Sequence, residues 1–162
     1  MSGLAMPALK QETLSRRAEI VAALRAIVPG EGVVDDETGM RTYETDGLTA
    51  YKQMPLVVVL PETVEQVAQV LKYCSENGVR VVPRGAGTSL SGGALPLGDG
   101  VLLSMMKFNR VLDIDFDNRT ATVQPGVTNL AITQAVSHEG FYYAPDPSSQ
   151  IACSIGGNVA EN

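Results

Sequence analysis

The chain is predicted to adopt an α+β fold, on two observations. From Leu56 to Val82 it runs strand, helix, strand, a compact βαβ unit with an expected right-handed crossover. After Gly98 the pattern changes to short strands with a hairpin signal, so an antiparallel or mixed sheet follows the parallel start. At 162 residues and 44% hydrophobic, the chain is long enough for one domain with a real core.

Residues 11 to 28 carry Leu14, Ala18, Val21, Ala22 and Leu24 to Ile27 at helical spacing, and Pro29-Gly30 stops them. This defines an N-terminal helical segment, 1–30, ahead of a domain over 31–162. Residues 31 to 54 are mixed and read as a short helix plus loops. Leu56 to Leu60 is a continuous apolar strand, the kind buried on both faces, ended by Pro61. Thr63 and Gln66 form a capping box, followed by a stripe of Val64, Val67, Ala68, Leu71 and Cys74 and a stop at Gly78. Val79 to Val82 is the next strand, ended by Pro83, which cannot donate a ladder hydrogen bond.

Val101 to Ser104, Val111 to Phe116 and Arg119 to Gln124 read as further strands, the last two joined at Asp117-Asn118 as a hairpin. Leu112, Ile114 and Phe116 alternate with Asp113, Asp115 and Asp117, which predicts one wet face. Thr128 to Glu139 is a helix capped by Thr128 and stopped by Gly140.

The formal charge of −6 argues against a nucleic-acid surface, which needs clustered Lys and Arg. No apolar run approaches membrane-spanning length, and Met1 to Leu9 has no basic segment ahead of an apolar stretch, so neither a span nor a secretory leader is expected. Two cysteines and one histidine do not make a disulfide framework or a metal site, and a reducing cytoplasmic setting is expected.

The densest functional signal is Pro83-Arg84-Gly85-Ala86-Gly87-Thr88-Ser89-Leu90-Ser91-Gly92-Gly93. Glycines let the backbone turn and lie against a ligand, and successive amides can converge on an oxyanion. No acid occurs from Arg84 to Gly98, although acids outnumber bases overall. A Walker loop is excluded, since no lysine occurs before Lys107, and G-x-G-x-x-G fails because Leu90 holds its third glycine position. A second glycine segment lies about seventy residues on, Cys153-Ser154-Ile155-Gly156-Gly157-Asn158, after the stiff Pro145-Asp146-Pro147-Ser148.

Together with the strand and Pro-Glu-Thr-Val-Glu-Gln-Val of residues 56 to 67, the pair resembles the FAD-binding domain of the vanillyl-alcohol oxidase and p-cresol methylhydroxylase superfamily. Within it the chain is most similar to the D-subunit of glycolate oxidase and related D-lactate dehydrogenases. The resemblance implies a small βαβ subdomain followed by a mixed or antiparallel sheet subdomain. It also implies that the chain stops inside the flavin motif, short of the cap domain that supplies substrate-binding and acid/base groups, so no catalytic residue is assigned.

Carried over by position, Pro83, Arg84, Gly85, Ala86, Gly87, Thr88, Ser89 and Gly92 would wrap the FAD pyrophosphate. Pro145, Asp146 and Ser148 would sit near the flavin and its ribityl chain, and Ser154, Ile155, Gly156, Gly157 and Asn158 would line the ring. Members that anchor FAD covalently through this loop carry a histidine where Thr88 stands, so noncovalent FAD is expected. The resemblance further implies oxidation of a small 2-hydroxy acid (glycolate or D-lactate), with flavin-type and iron–sulfur partner subunits. Location would be cytoplasmic, or peripheral to the inner membrane through those partners. Rival readings are another FAD-linked enzyme on the same fold, such as an alkyl-glycerone-phosphate synthase-like or cell-wall reductase-like protein, or a non-catalytic binding fragment.

Four other features have plainer readings. His138 meets the C-terminal dipole of its helix. Arg84 either pairs with the pyrophosphate or is a solvated loop charge. Cys153 either touches the flavin or, on the plainer reading, is a small packed thiol. Glu12, Arg16, Arg17 and Glu19 read as an exposed helix face.

Overall fold

The computed structural model describes residues 6–145 and 147–161. Its N-terminal helix is broken at Arg16 into α1 (Gln11–Ser15) and α2 (Arg17–Ile27). The chain then forms β1 (Val33–Val34), α3 (Glu37–Met40), β2 (Val57–Val59), α4 (Val64–Glu76), β3 (Arg80–Arg84) and β4 (Gly100–Ser104). The second half comprises β5 (Val111–Asp115), β6 (Thr120–Val123), α5 (Asn129–Val136) and α6 (Ile155–Glu161).

The first sheet has the order β1-β2-β4-β3, with β2, β4 and β3 parallel and β1 antiparallel to β2. The two strands of the βαβ unit are parallel in one sheet, with β4 between them. One expectation is corrected. The strand at Val101 to Ser104 belongs to this parallel sheet and not to the antiparallel continuation. An apolar run shows that a strand is buried, but not the direction of its partners. β1 is a further strand, too short to be visible in the mixed composition of residues 31 to 54.

Every residue of β2 and β4 is buried. Val57, Val59, Val101 and Leu103 face α2 and α4, packing with Ile20, Leu24, Val70 and Cys74. Val58 and Leu102 point the other way, onto Met40, Leu60 and Val82. That alternation follows from the pleat. Each fully buried Val or Leu contributes about 1.5–3 kcal/mol of transfer free energy.

The capping box of Thr63 and Gln66 is formed, and α4 runs to the expected end, where Gly78 has φ 64°. The buried stripe of α4 is rotated from the expected one. Val70 and Cys74 are buried with Val67 and Tyr73 against the core, whereas Val64 is 70% and Leu71 45% exposed. Both stripes have helical period, and only the positions of α2 and the sheet select between them. Arg17 is likewise no free surface charge, since its guanidinium donates to the carbonyls of Leu56 and Asp35.

Strand β3 runs through Pro83 to Arg84, two residues past the expected end. It is an edge strand bonded only to β4, a position where the missing N–H of proline is tolerated. Arg84 and Ser104 are paired at the carboxyl ends of two adjacent parallel strands. Open parallel sheets bind ligands at such ends.

β5 and β6 form a separate antiparallel pair. The register shifts between Val111 and Asp113, so Leu112 is the extra residue of a bulge and is 55% exposed. The expected wet and dry alternation therefore fails at Leu112, for the reason bulges break a face. The turn is also longer than expected. It spans residues 116 to 119, with Arg119 at φ 55°, because Asn118 donates from its backbone and side chain to the Asp115 carboxylate (2.9 and 2.7 Å).

α5 is capped by Thr128, which accepts from the Ala131 amide, and its final turn ends at Gly140 with φ 77°. Among the described residues, no helix is long and apolar enough to cross a membrane.

Candidate cofactor site

The glycine loop leaves β3 beside an open cleft of about 460 Å³, one wall of which is Arg84, Gly85 and Ala86. The facing wall includes Gly126, Thr128 and Ser154, and Tyr43, Ser104, Met106 and Asn109 are among the other lining residues. The two glycine motifs, seventy residues apart, thus meet across one cavity. The meeting is tight: a Cβ at Gly85 would collide with Ser154 Oγ and would lie 3.9 Å from the Gly157 amide.

The facing wall is assembled by backbone contacts. Ile155 and Gly156 donate to the carbonyls of Val127 and Pro125 (2.9 and 2.8 Å), and Thr128 and Ser154 form an isolated antiparallel bridge. Gly156 packs where a Cβ would come within 2.8 Å of the Pro125 ring. Gly126 lies equally close to the carbonyls of Met105 and Phe108, just past the end of β4. The wall is therefore tied to the first sheet.

Three observations make the cleft, lined by Gly85 and Ala86 of the loop, a candidate anion and hydrogen-bond site. First, among the described residues none of the amides of residues 85 to 90 donates a hydrogen bond. Second, Ser154 is 4% exposed, yet its Oγ has no partner among the described residues. Buried polar atoms left unpaired are costly, and of the three such side-chain atoms among the described residues only Ser154 Oγ belongs to a residue lining the cleft. Third, Arg84 is buried, and its guanidinium donates to the carbonyls of Tyr43 (3.2 Å) and Ala94 (3.5 Å) rather than to a carboxylate.

The Arg84 guanidinium also lies over the Tyr43 ring, 5.7 Å from its centroid. Burial lowers its pKa, with Asp46 and the Tyr43 phenol opposing that shift, but a guanidinium stays cationic throughout. The solvated-charge reading of Arg84 is thereby overturned. Gly87, at φ 71°, lies so near this guanidinium that any Cβ would collide with it.

The remaining sequence-predicted residues are distributed as follows. Pro83 is exposed in the edge strand, and Thr88 is exposed in the loop. Gly92 lies near Leu48. Pro145 and Ser148 are exposed in the segment before α6, while Asp146 lies outside the described residues. Ile155 is half-buried, and Asn158 spends one amide hydrogen on Asn129 Oδ1 (2.7 Å).

Asn129 is the residue the sequence reading missed. It is 1% exposed, accepts from Asn158 and from the Cys153 thiol (3.6 Å), and donates to the Pro145 carbonyl (3.2 Å). It shares α5 with two other polar residues, Thr133 and Gln134, so nothing in the local pattern singles it out. Cys153 is accordingly a packed, buried thiol, and Cys74 is another. His138 lies away from the cleft with its ring edge-on to Phe116 (5.9 Å). Asp115 serves the hairpin turn, and among the described residues no group of three or more His, Cys, Asp or Glu is arranged to hold a metal ion.

Residues 55–162 match the FAD binding domain family. The chain belongs to that family. It is 58% identical over 146 residues to the glycolate oxidase subunit GlcD of Escherichia coli (strain K12), which covers 90% of this chain and 29% of that protein. It is 37% identical over 145 residues to a D-lactate dehydrogenase of Anaerostipes hadrus, covering 89% of this chain and 30% of the relative. Among solved structures, p-cresol methylhydroxylase with substrate bound matches with a TM-score of 0.77 at 23% identity, over 96% of this chain and 31% of that one. That likeness concerns the fold, and it bears out the α+β expectation of the p-cresol methylhydroxylase type. The chain spans about three tenths of the length of these relatives.

The residues present fit FAD as the cofactor of the family. The glycine loop leaves donors unspent, Ser154 leaves a hydroxyl unspent, and the Gly85 approach leaves no room for a side chain.

Proposed function

We propose that this chain is the FAD-binding portion of a flavin-dependent 2-hydroxy-acid dehydrogenase of the glycolate or D-lactate type. The observation that carries the reading is the meeting of Gly85 with Ser154 and Gly157 across a cleft whose nearest amides are unspent. The 58% identity to a glycolate oxidase subunit supports this class over synthase-like or reductase-like enzymes on the same fold.

Loop residues Pro83 to Ser89 and Gly92 hold the pyrophosphate through backbone amides, with Arg84 as the nearest fixed cation. Ser154, Ile155, Gly156, Gly157 and Asn158, with Pro145, Asp146 and Ser148, form the flavin side. Attachment is noncovalent, because Thr88 offers a hydroxyl where covalent members offer an imidazole. Bound FAD supplies the hydride-accepting chemistry. This chain binds, orients and shields the cofactor and contributes no acid or base. The small 2-hydroxy acid is held by a cap domain, electrons pass to flavin-type and iron–sulfur partner subunits, and the protein works in the cytoplasm or at the inner membrane through those partners.

Titration of the purified chain with FAD, followed by quenching of flavin fluorescence, tests the reading. Saturable binding is expected. Gly87→Val should weaken it roughly a hundredfold or more while the circular dichroism spectrum is unchanged, since the branched side chain meets Arg84 in a left-handed backbone. Unchanged affinity in a folded Gly87→Val chain would remove the loop from the site.

A further inference from the structure

We propose that the turn at Asp46-Gly47, which lies in neither glycine motif, is a positioning element that sets the direction of the phosphate-binding amides. The inference rests on the FAD reading above. Gly47 is pressed against the back of the glycine loop: a Cβ there would stand 2.7 Å from the carbonyl oxygens of both Thr88 and Ser89. Those neighbours are backbone, so they cannot swing aside as a flexible side chain would.

A trans peptide points its N–H opposite to its C=O. Carbonyls of Thr88 and Ser89 turned toward Gly47 therefore leave the amides of Ser89 and Leu90 facing away from it. These are two of the amides that donate to nothing among the described residues. Gly47 thus decides which side of the loop is the donor side.

The turn that presents Gly47 is hydrogen-bonded internally. Asp46 is 4% exposed and its Oδ1 accepts the Leu48 amide at 2.9 Å, while its Oδ2 has no partner among the described residues. The Thr45 hydroxyl lies 3.1 Å from the carbonyls of both Asp46 and Tyr51 and shares its one hydrogen between them, and the Gln53 backbone N–H donates to the Glu44 carbonyl at 2.7 Å. Arg84 anchors the same strip to the loop, bonding the Tyr43 carbonyl on one side and the Ala94 carbonyl on the other. Leu48 Cδ2 would meet a Cβ at Gly92 at 3.8 Å, extending the contact along the loop. Residues 43 to 48 therefore form a template on which the loop is moulded.

The test measures FAD and ADP affinity in the full chain for Gly47→Val, Asp46→Ala and Asp46→Asn, with circular dichroism on each. Gly47→Val is expected to weaken both ligands roughly ten- to hundredfold, the loss of one or two hydrogen bonds to a charged group. Asp46→Ala, which opens the turn without any clash, should weaken both by about tenfold. Asp46→Asn keeps an oxygen for the Leu48 amide and should restore affinity to within about twofold of the parent. A folded Gly47→Val chain with parental affinity overturns the inference. If Gly47→Val does not fold, the aspartate pair decides: equal affinities in Asp46→Ala and the parent overturn it, whereas loss in Asp46→Ala with rescue in Asp46→Asn supports it. A parent chain that binds neither FAD nor ADP defeats the FAD reading itself and this inference with it.

Discussion

The two sheets are built from segments of similar strand character, yet the central strands of the first differ sharply in burial from the strands of the second. All residues of β2 and β4 are buried, while no residue of β5 or β6 is. The first sheet carries α2 and α4 on one face and a second apolar cluster on the other. The hairpin is attached through the end of α5, where Phe116 meets Phe141 at 5.5 Å and His138 at 5.9 Å. The buried apolar clusters of the described fold lie on the first sheet, and the candidate cleft opens between its strand ends and the more exposed second half. Two-stranded pairs are marginal in water, so the hairpin depends on what packs against it.

Four measurements put this contrast to the test. The largest effect is expected from Leu102→Ala at the centre of β4, which should cost about 2–5 kcal/mol in urea denaturation. A loss no larger than that of a hairpin variant would end the contrast.

Alkaline pH should attack the same core. Burial pushes the Cys74 thiol from about 9 up to about 11. Because the folded value is raised, this contribution is complete below pH 9 and is lost as pH rises toward 11. The loss amounts to about 2 kcal/mol. The Tyr73 phenol is also raised, first by burial and then by Glu19, and adds to the loss above pH 10. Cys74→Ala should flatten the slope between pH 9 and 10, whatever its cost in packing.

In the second half, Asn129→Ala should cost about 1–3 kcal/mol by orphaning its partners. It should also loosen the 145–158 segment, read as faster amide exchange at Asn158. The smallest effect belongs to Leu112→Ser on the exposed bulge, within about 0.5 kcal/mol. A larger loss would mean that the bulge is covered in the working protein.

Elements defined by neighbouring residues were readable in advance. The capping box at Thr63 and Gln66, the Thr128 cap, the Gly78 and Gly140 stops and the twin glycine motifs all lie where the residue types demand. Elements defined by distant partners were not. The stripe of α4 turned from Leu71 to Val70, β3 passed through Pro83, and β4 entered between the βαβ strands. In the site, the loop was visible, but its template at Asp46-Gly47 and the Asn129 hub carry ordinary residues with no local signature.

Glycine, proline and capping chemistry act over a few residues, so turns, helix ends and the glycine loop were written into the chain and could be read from it directly. Strand neighbours, the buried side of a helix and the burial of Arg84 depend on which surfaces exclude water together, and contacts between distant residues such as Val57 with Val101, Arg80 with Gly100 and Tyr43 with Arg84 set that outcome. Desolvation is a property of the assembled neighbourhood, and no short stretch of residues specifies its own neighbourhood.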